Sequence, residues 1–241
     1  MNMPRSRIAR PLVLALALLA GCSSGTDTAP LFPQMFSAGK AAIAARAARR
    51  AEAAKPPLTR AVLNTVEGAY IEARIERQDI TGYLSLALQR SDAAPGRIEQ
   101  WRTQDNVSLT FRNGVLIATR GLGGDLVSAE VQVAGDRPGP ATGGERGMHL
   151  RSGDLQVIRL GLACDLEDLG PETVTIVELS FATRHLRESC TTEGVTIGGQ
   201  AVGAGRVVND YWIDSRQGLM RKSRQWAGPE IGYLSLRRLT E

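Results

Sequence analysis

Val107-Ser-Leu-Thr-Phe-Arg-Asn113-Gly114-Val-Leu-Ile-Ala-Thr119 is the stretch on which the fold turns. Asn-Gly supplies the two positive φ values that a type I′ turn demands, so the segment reads as a tight β-hairpin. Counting outward from the turn pairs Phe111 with Leu116 and Leu109 with Ala118 on one face. The other face carries Ser108, Thr110 and Arg112 beside Val115 and Ile117. One side is core, and the other is amphipathic enough to line a groove or meet a partner.

The same period of two extends in both directions. Upstream, Ala69, Ile71, Ala73 and Ile75 alternate with Tyr70, Glu72, Arg74 and Glu76, and Leu84, Leu86 and Leu88 repeat the pattern after a turn near Gln78-Asp79. Downstream, short strands are expected at 127–133, 155–164, 173–181, 184–188, 207–213, 219–226 and 233–239. Gly, Pro, Asp or Asn sits in most of the connections. Gly135 to Gly147 reads as the longest flexible insert, the natural place to divide a β-rich domain of residues 58–241 into two halves. No long amphipathic helical pattern follows residue 68, so the class is mainly β and antiparallel. Gly-Tyr-Leu-Ser-Leu occurs at 82–86 and again at 232–236, which is either the trace of duplicated sheets or chance.

The N-terminal region has a different character. Arg5, Arg7 and Arg10 precede an apolar run from Leu12 to Ala20, the charge-then-hydrocarbon order of a secretory signal. The run is too short for a membrane span, which needs roughly 20 apolar residues. Leu19-Ala20-Gly21-Cys22 matches the lipobox of bacterial lipoproteins, so residues 1–21 are expected to be removed and Cys22 to be lipidated. One acyl chain anchors only marginally, whereas the two or three carried by bacterial lipoproteins hold stably. Ser23, in place of Asp, is the expected signal for the outer membrane, with the folded part facing the periplasm.

Residues 22–33 then form a polar tether, and 34–57 an alanine-rich helix stopped by Pro56-Pro57. Around that segment lie Lys40, Arg46, Arg49, Arg50, Lys55 and Arg60 against a single acid, Glu52. Two readings stand: contact with anionic lipid head groups, at about 1 kcal/mol per basic residue near the surface, or a solvated spacer.

The formal charge of +4 belongs mostly to the discarded segment. Residues 1–21 hold three arginines and no acid, so 29 basic against 25 acidic residues becomes 26 against 25. A near-neutral mature chain gives no ground for nucleic-acid binding. Once Cys22 is acylated, Cys164 and Cys190 are the remaining thiols in an oxidising compartment, and a disulfide between them is expected, worth about 3–4 kcal/mol in the chain-entropy model. The alternative, a catalytic or metal-binding pair, needs further ligands, and His149 and His185 stand in no zinc-like spacing.

The C-terminal run Asn209-Asp-Tyr-Trp212-Ile-Asp214-Ser-Arg-Gln-Gly218-Leu-Met-Arg-Lys-Ser223-Arg-Gln225-Trp226-Ala-Gly-Pro229 resembles the YjbF/GfcB family of lipoproteins, associated with group 4 capsule and exopolysaccharide loci. An earlier block of that family is matched by Trp101, Asn113-Gly114, Thr119-Arg-Gly121-Leu122 and Asp125-Leu126, and the cysteine pair fits, with Glu188 just before Cys190. The resemblance implies curved, half-barrel-like sheets and a role in making or exporting a surface polysaccharide. It carries no catalytic residues over.

Apart from that resemblance, Trp101, Tyr211, Trp212 and Trp226 near Asn209, Asp214, Ser223 and Gln225 are residue types that stack on sugar rings and hydrogen-bond hydroxyls. The competing reading makes the tryptophans the core of a β-layer. No nucleophile elbow, triad order, phosphate loop, cofactor motif or metal signature is found, and Asp165, Glu167 and Asp168 fall in what reads as a polar loop. The expectation is therefore a non-enzymatic outer-membrane accessory in exopolysaccharide secretion, with polysaccharide and other secretion proteins as partners. A lipid or lipoprotein carrier with a cavity lined by Leu109, Phe111 and Leu116 is the second reading, and a polysaccharide-active enzyme the third.

Overall fold

The computed structural model describes residues 58–151, 156–197, 200–202 and 205–241, with the side chains of 195–202 left aside. The expected signal segment, Cys22, the tether and the alanine-rich helix lie outside the described residues.

One short helix, α1 (Arg60–Leu63), starts where the Thr59 hydroxyl accepts the Val62 N–H. Fourteen strands follow. They are β1 (Tyr70–Ile75), β2 (Ile80–Arg90), β3 (Ile98–Arg102), β4 (Ser108–Arg112), β5 (Val115–Arg120), β6 (Leu126–Ala129) and β7 (Gly144–Arg151). The rest are β8 (Val157–Ile176), β9 (Leu179–Thr192), β10 (Val195–Ile197), β11 (Gln200–Val202), β12 (Gly205–Asp214), β13 (Met220–Trp226) and β14 (Tyr233–Arg238). Twelve of them form a single antiparallel sheet in the order β5-β4-β3-β2-β1-β14-β13-β12-β9-β8-β7-β6, and β10 and β11 pair separately.

The two edges of that sheet, β5 and β6, are consecutive in the chain. Asp125, in the link between them, accepts from the Thr119 hydroxyl and from the backbone N–H groups of Gly121 and Leu122, all at 3.0 Å. Thr119 in turn accepts the Leu126 N–H at 3.0 Å, so the edges are drawn together and the sheet nearly closes into a barrel. Free edge groups are a liability in water and costly when buried. On β5 they are met by side chains from across the interior. Gln225 accepts the Leu116 N–H at 2.7 Å and donates to the Gly114 carbonyl at 2.8 Å, while Arg146 donates to the Leu116 carbonyl at 3.2 Å.

Alternation sorts the residues about this wall. Ile71, Leu84, Trp101, Leu109, Leu116, Leu126 and Leu234 belong to one apolar cluster inside. Outside, Arg237 pairs with Glu72 and Arg224 with Glu76, each at 2.7 Å. An apolar interior with a charged exterior is the reverse of a membrane-spanning barrel, whose outer band is apolar. No helix among the described residues is long and apolar enough to cross a membrane.

A second, smaller cluster lies at the end of the barrel where β14 finishes. The long β8–β9 hairpin contributes Val174 and Ile176, α1 contributes Leu63, and these meet Trp212 and Leu239. Arg60 donates to the carbonyls of Leu239, Ile176 and Val177, tying the start of the domain to the hairpin tip.

Several expectations change in detail. The Asn113-Gly114 hairpin forms and Phe111 pairs with Leu116, but a bulge after Thr110 pairs Leu109 with Thr119 and Thr110 with Ala118. Both Val115 and Leu116 are consequently buried. The strand expected at 173–181 is instead a hairpin turn at Val177-Glu178, and Asp165, Glu167 and Asp168 lie within β8 rather than in a loop. A charged, bulged strand bearing Pro171 still satisfies the sheet, because the 165–176 stretch of β8 has a partner only on the β9 side. The half-barrel sheets are one sheet, nearly closed. The stretch read as a flexible insert ends inside β7, and its earlier part is fastened by the Gly139 N–H donating to the Asn113 carbonyl at 2.7 Å. The repeated pentapeptides flank β1, which pairs Ile71 with Leu84 on one side and Ile75 with Leu234 on the other.

Candidate functional site

Inside the barrel, polar side chains sit on the same alternating positions as the core residues. Glu188 of β9 receives Arg146 at 2.8 Å, the Asn209 amide at 2.8 Å and the Tyr211 hydroxyl at 3.0 Å. Burial pushes the Tyr211 phenol well above its usual pKa, and the neighbouring Glu188 charge adds to the shift. Asn209 also accepts the Trp226 N–H at 2.8 Å, bridging the point where β12 and β13 separate. The Cys164–Cys190 disulfide joins directly opposed residues of β8 and β9 beside this network. Its sulfurs lie close to Glu188, and with both consumed in the bridge the group offers a metal a single carboxylate.

The network is buried, with Glu188 4 % and Arg146 7 % exposed. The mouth of the barrel is different. Leu234 and Leu236 on β14 are followed in phase by Arg238, Phe111 on β4 by Asn113, and Trp101 on β3 is preceded by Glu99 and Arg97. Charged or amide groups thus replace leucine and aromatic side chains at the same end. Two adjoining cavities open there, of about 110 and 30 Å³, sharing Glu99, Gly114, Met220 and Arg238 in their walls. Gly114 is needed for two reasons: its φ is +79°, and a Cβ would come within 2.8 Å of the Met220 side chain.

The charges at this mouth do not cancel. Arg238, 11 % exposed, donates to Glu99 at 3.1 Å, and its guanidinium lies 5.0 Å from the centre of the Trp101 ring. Glu99 is also occupied by Gln89 at 3.1 Å and by the Trp101 indole at 3.3 Å. The Arg238 Nε is buried without a hydrogen-bond partner among the described residues. Burial holds the Arg238 pKa down, and Arg221 and Arg97 add to that against the opposing pull of Glu99. Arg97 uses its backbone N–H to reach the Asn113 side chain at 2.7 Å, while its guanidinium has no protein partner among the described residues.

The residues singled out in the sequence separate into four places. Trp101 and Ser223 line the inner part of the mouth. Asn209, Tyr211 and Gln225 are buried in the interior network. Trp212 lies on the outer face in the second cluster, stacked on His185 at 4.4 Å with Lys222 4.2 Å from its ring. His185 in turn sits between Asp210 and Glu172, each at 2.8 Å. Asp214 caps its turn through the Arg216 and Gln217 N–H groups and pairs with Arg221 at 2.8 Å, and Trp226 is half-buried against the main core.

Arg97, Glu99, Arg146 and Arg238 went unnoticed in the sequence. For Glu99 and Arg238 the signal exists: each is a charge in phase with core residues of its own strand. For Arg146, set in Gly143-Gly144-Glu145-Arg146-Gly147, no alternation marks the strand.

The interior leaves little room for a lipid. Leu109 and Leu116 are at most 2 % exposed, and the apolar void beside Leu109 measures about 40 Å³, whereas ligand pockets generally reach several hundred.

The architecture is a nearly closed antiparallel β-barrel with a packed, hydrogen-bonded interior and a charged mouth at one end. The chain belongs to the family described as group 4 capsule polysaccharide lipoprotein gfcB, YjbF, whose model matches residues 40–239. The crystal structure of the hypothetical lipoprotein YmcC from Escherichia coli K12 shares the fold, with a TM-score of 0.60 at 17% identity, covering 80% of this chain and 94% of that one. A search of curated proteins returns no match.

Proposed function

We propose that this lipoprotein is a non-enzymatic accessory in the production or secretion of capsule or exopolysaccharide, held at the outer membrane through Cys22 and contacting glycan at the mouth of its barrel. Membership of the capsule lipoprotein family supports the process. The observation that carries the mode of action is the open, polar mouth with a tryptophan beneath it, set on an otherwise packed barrel. Trp101 is 1 % exposed and covered by Arg238, so contact with a sugar there falls to the directional polar groups of the mouth, with the ring as packing beneath them. The packed interior counts against carriage of a lipid.

The test is secreted and surface polysaccharide in a strain deleted for the gene and complemented with wild type or with Cys22→Ser, which is exported but not lipidated. Loss on deletion, restored by wild type alone, is the expected result. Polymer unchanged in every strain overturns the reading.

A further inference from the structure

We infer that the mouth is selective for an acidic sugar unit, its carboxylate received by Arg238 and Arg97. The inference rests on the glycan-contact reading above and narrows its ligand class.

Three observations carry it. Cavity walls that include Arg97, Arg137 and Arg238 have Glu99 and Asp136 as their acids. Glu99 already receives Gln89, the Trp101 indole and Arg238 itself, and Asp136 is about four-fifths exposed and 3.9 Å from Arg137, so neither neutralises the Arg97 guanidinium. Burial disfavours the Arg238 charge, and beyond its bond to Glu99 the guanidinium makes no other hydrogen bond among the described residues. A partly buried cation left short of partners gains from an anion brought beside it. A guanidinium is planar and presents paired donors that match a carboxylate. The same mouth has backbone groups of the 135–138 segment at its rim, held in place by the Asn113 side chain, which suit hydroxyls of the attached ring. A neutral sugar would leave Arg97 uncompensated.

The experiment uses fragments of the producing strain's own secreted polysaccharide, native and after chemical reduction of its carboxyl groups, titrated calorimetrically into the lipidated protein in detergent. Native fragments are expected to bind at least tenfold tighter than reduced ones, with affinity falling as salt rises. Arg97→Gln, at an exposed residue whose side chain has no protein partner among the described residues, is expected to remove most of that difference. Arg238→Gln is expected to do the same, with the melting temperature reporting any loss of fold. Equal binding of native and reduced fragments, or an Arg97→Gln variant that retains the preference, overturns the acidic-sugar inference and leaves glycan contact standing. No binding of either fragment overturns both.

Discussion

Arg146 and Glu188, 42 positions apart, meet at 2.8 Å inside the barrel with their side chains 7 % and 5 % exposed. A buried pair of this kind contributes little over a well-packed apolar substitute, but removing one member strands the other charge. Glu188→Ala leaves Arg146 facing the interior and orphans the Asn209 and Tyr211 donors as well. The expected loss is about 3–5 kcal/mol by urea denaturation. The double substitution Arg146→Met with Glu188→Leu is expected to be less destabilising than Glu188→Ala alone; a larger loss would mean that the pair holds the barrel together by more than charge compensation.

Gln225 does the work of a neighbouring strand for β5. Its amide serves the Leu116 N–H, the Gly114 carbonyl and the Ser223 hydroxyl at 2.7, 2.8 and 2.9 Å. Gln225→Ala leaves two buried backbone groups unmet, at about 1–3 kcal/mol each. Hydrogen exchange localises the effect: protection at Leu116 is expected to fall by more than at Ile71, which belongs to the same core but to β1.

Acid sensitivity follows from carboxyls held in their charged form. Hydrogen bonding from Arg112 lowers the Asp92 pKa from 3.8 to about 2, and hydrogen bonding from Arg224 lowers that of Glu76 below its ordinary 4.5. A carboxyl whose folded pKa is depressed adds stability that is fully present above its unfolded value and is lost as pH falls through the folded one. The denaturation midpoint is therefore expected to be level above about pH 5 and to drop progressively towards pH 2. Arg224→Gln should shallow that drop, and a profile indistinguishable from wild type would show that Glu76 has no share in it.

The tip of the β8–β9 hairpin has both central residues at positive φ, Val177 at 43° and Glu178 at 70°. Type I′ geometry of this kind favours Asn and Gly. Val177 is retained by its packing in the second cluster and by Arg60, whereas Glu178 has no such tie. Glu178→Gly is expected to stabilise the protein by about 0.5–1 kcal/mol in thermal or urea unfolding. A destabilised variant would reveal a contact made by the Glu178 side chain.

These tips and edges also explain what could be read in advance. Alternation at Ile71–Ile75, at Leu234–Leu236 and around Asn113-Gly114 declares strands because each has one wet and one dry face. Where both faces are occupied, as at Tyr211-Trp212 with its inner network and outer cluster, the pattern shows a strand without saying which side is site and which is core. Charges in strands mislead in the other direction. Asp165 to Asp168 look like a loop, yet their position on an unpaired edge makes charge an asset. The mouth was the least visible element, since it exists only where the ends of β3, β4, β13 and β14 converge from distant parts of the chain.

The seam between β1 and β14, with Ile71 opposite Arg238 and Ile75 opposite Leu234, sets an order of events for a chain synthesised from its N-terminus. The centre of the sheet joins the first strand to the last, so a polypeptide lacking only its final nine residues has β1 and β13 exposed along the edges that β14 would cover. Local hairpins form early and distant pairings late, because loop closure costs entropy before contacts repay it. The barrel is thus sealed only by arrival of β14, and until then both parts of the sheet keep an open edge.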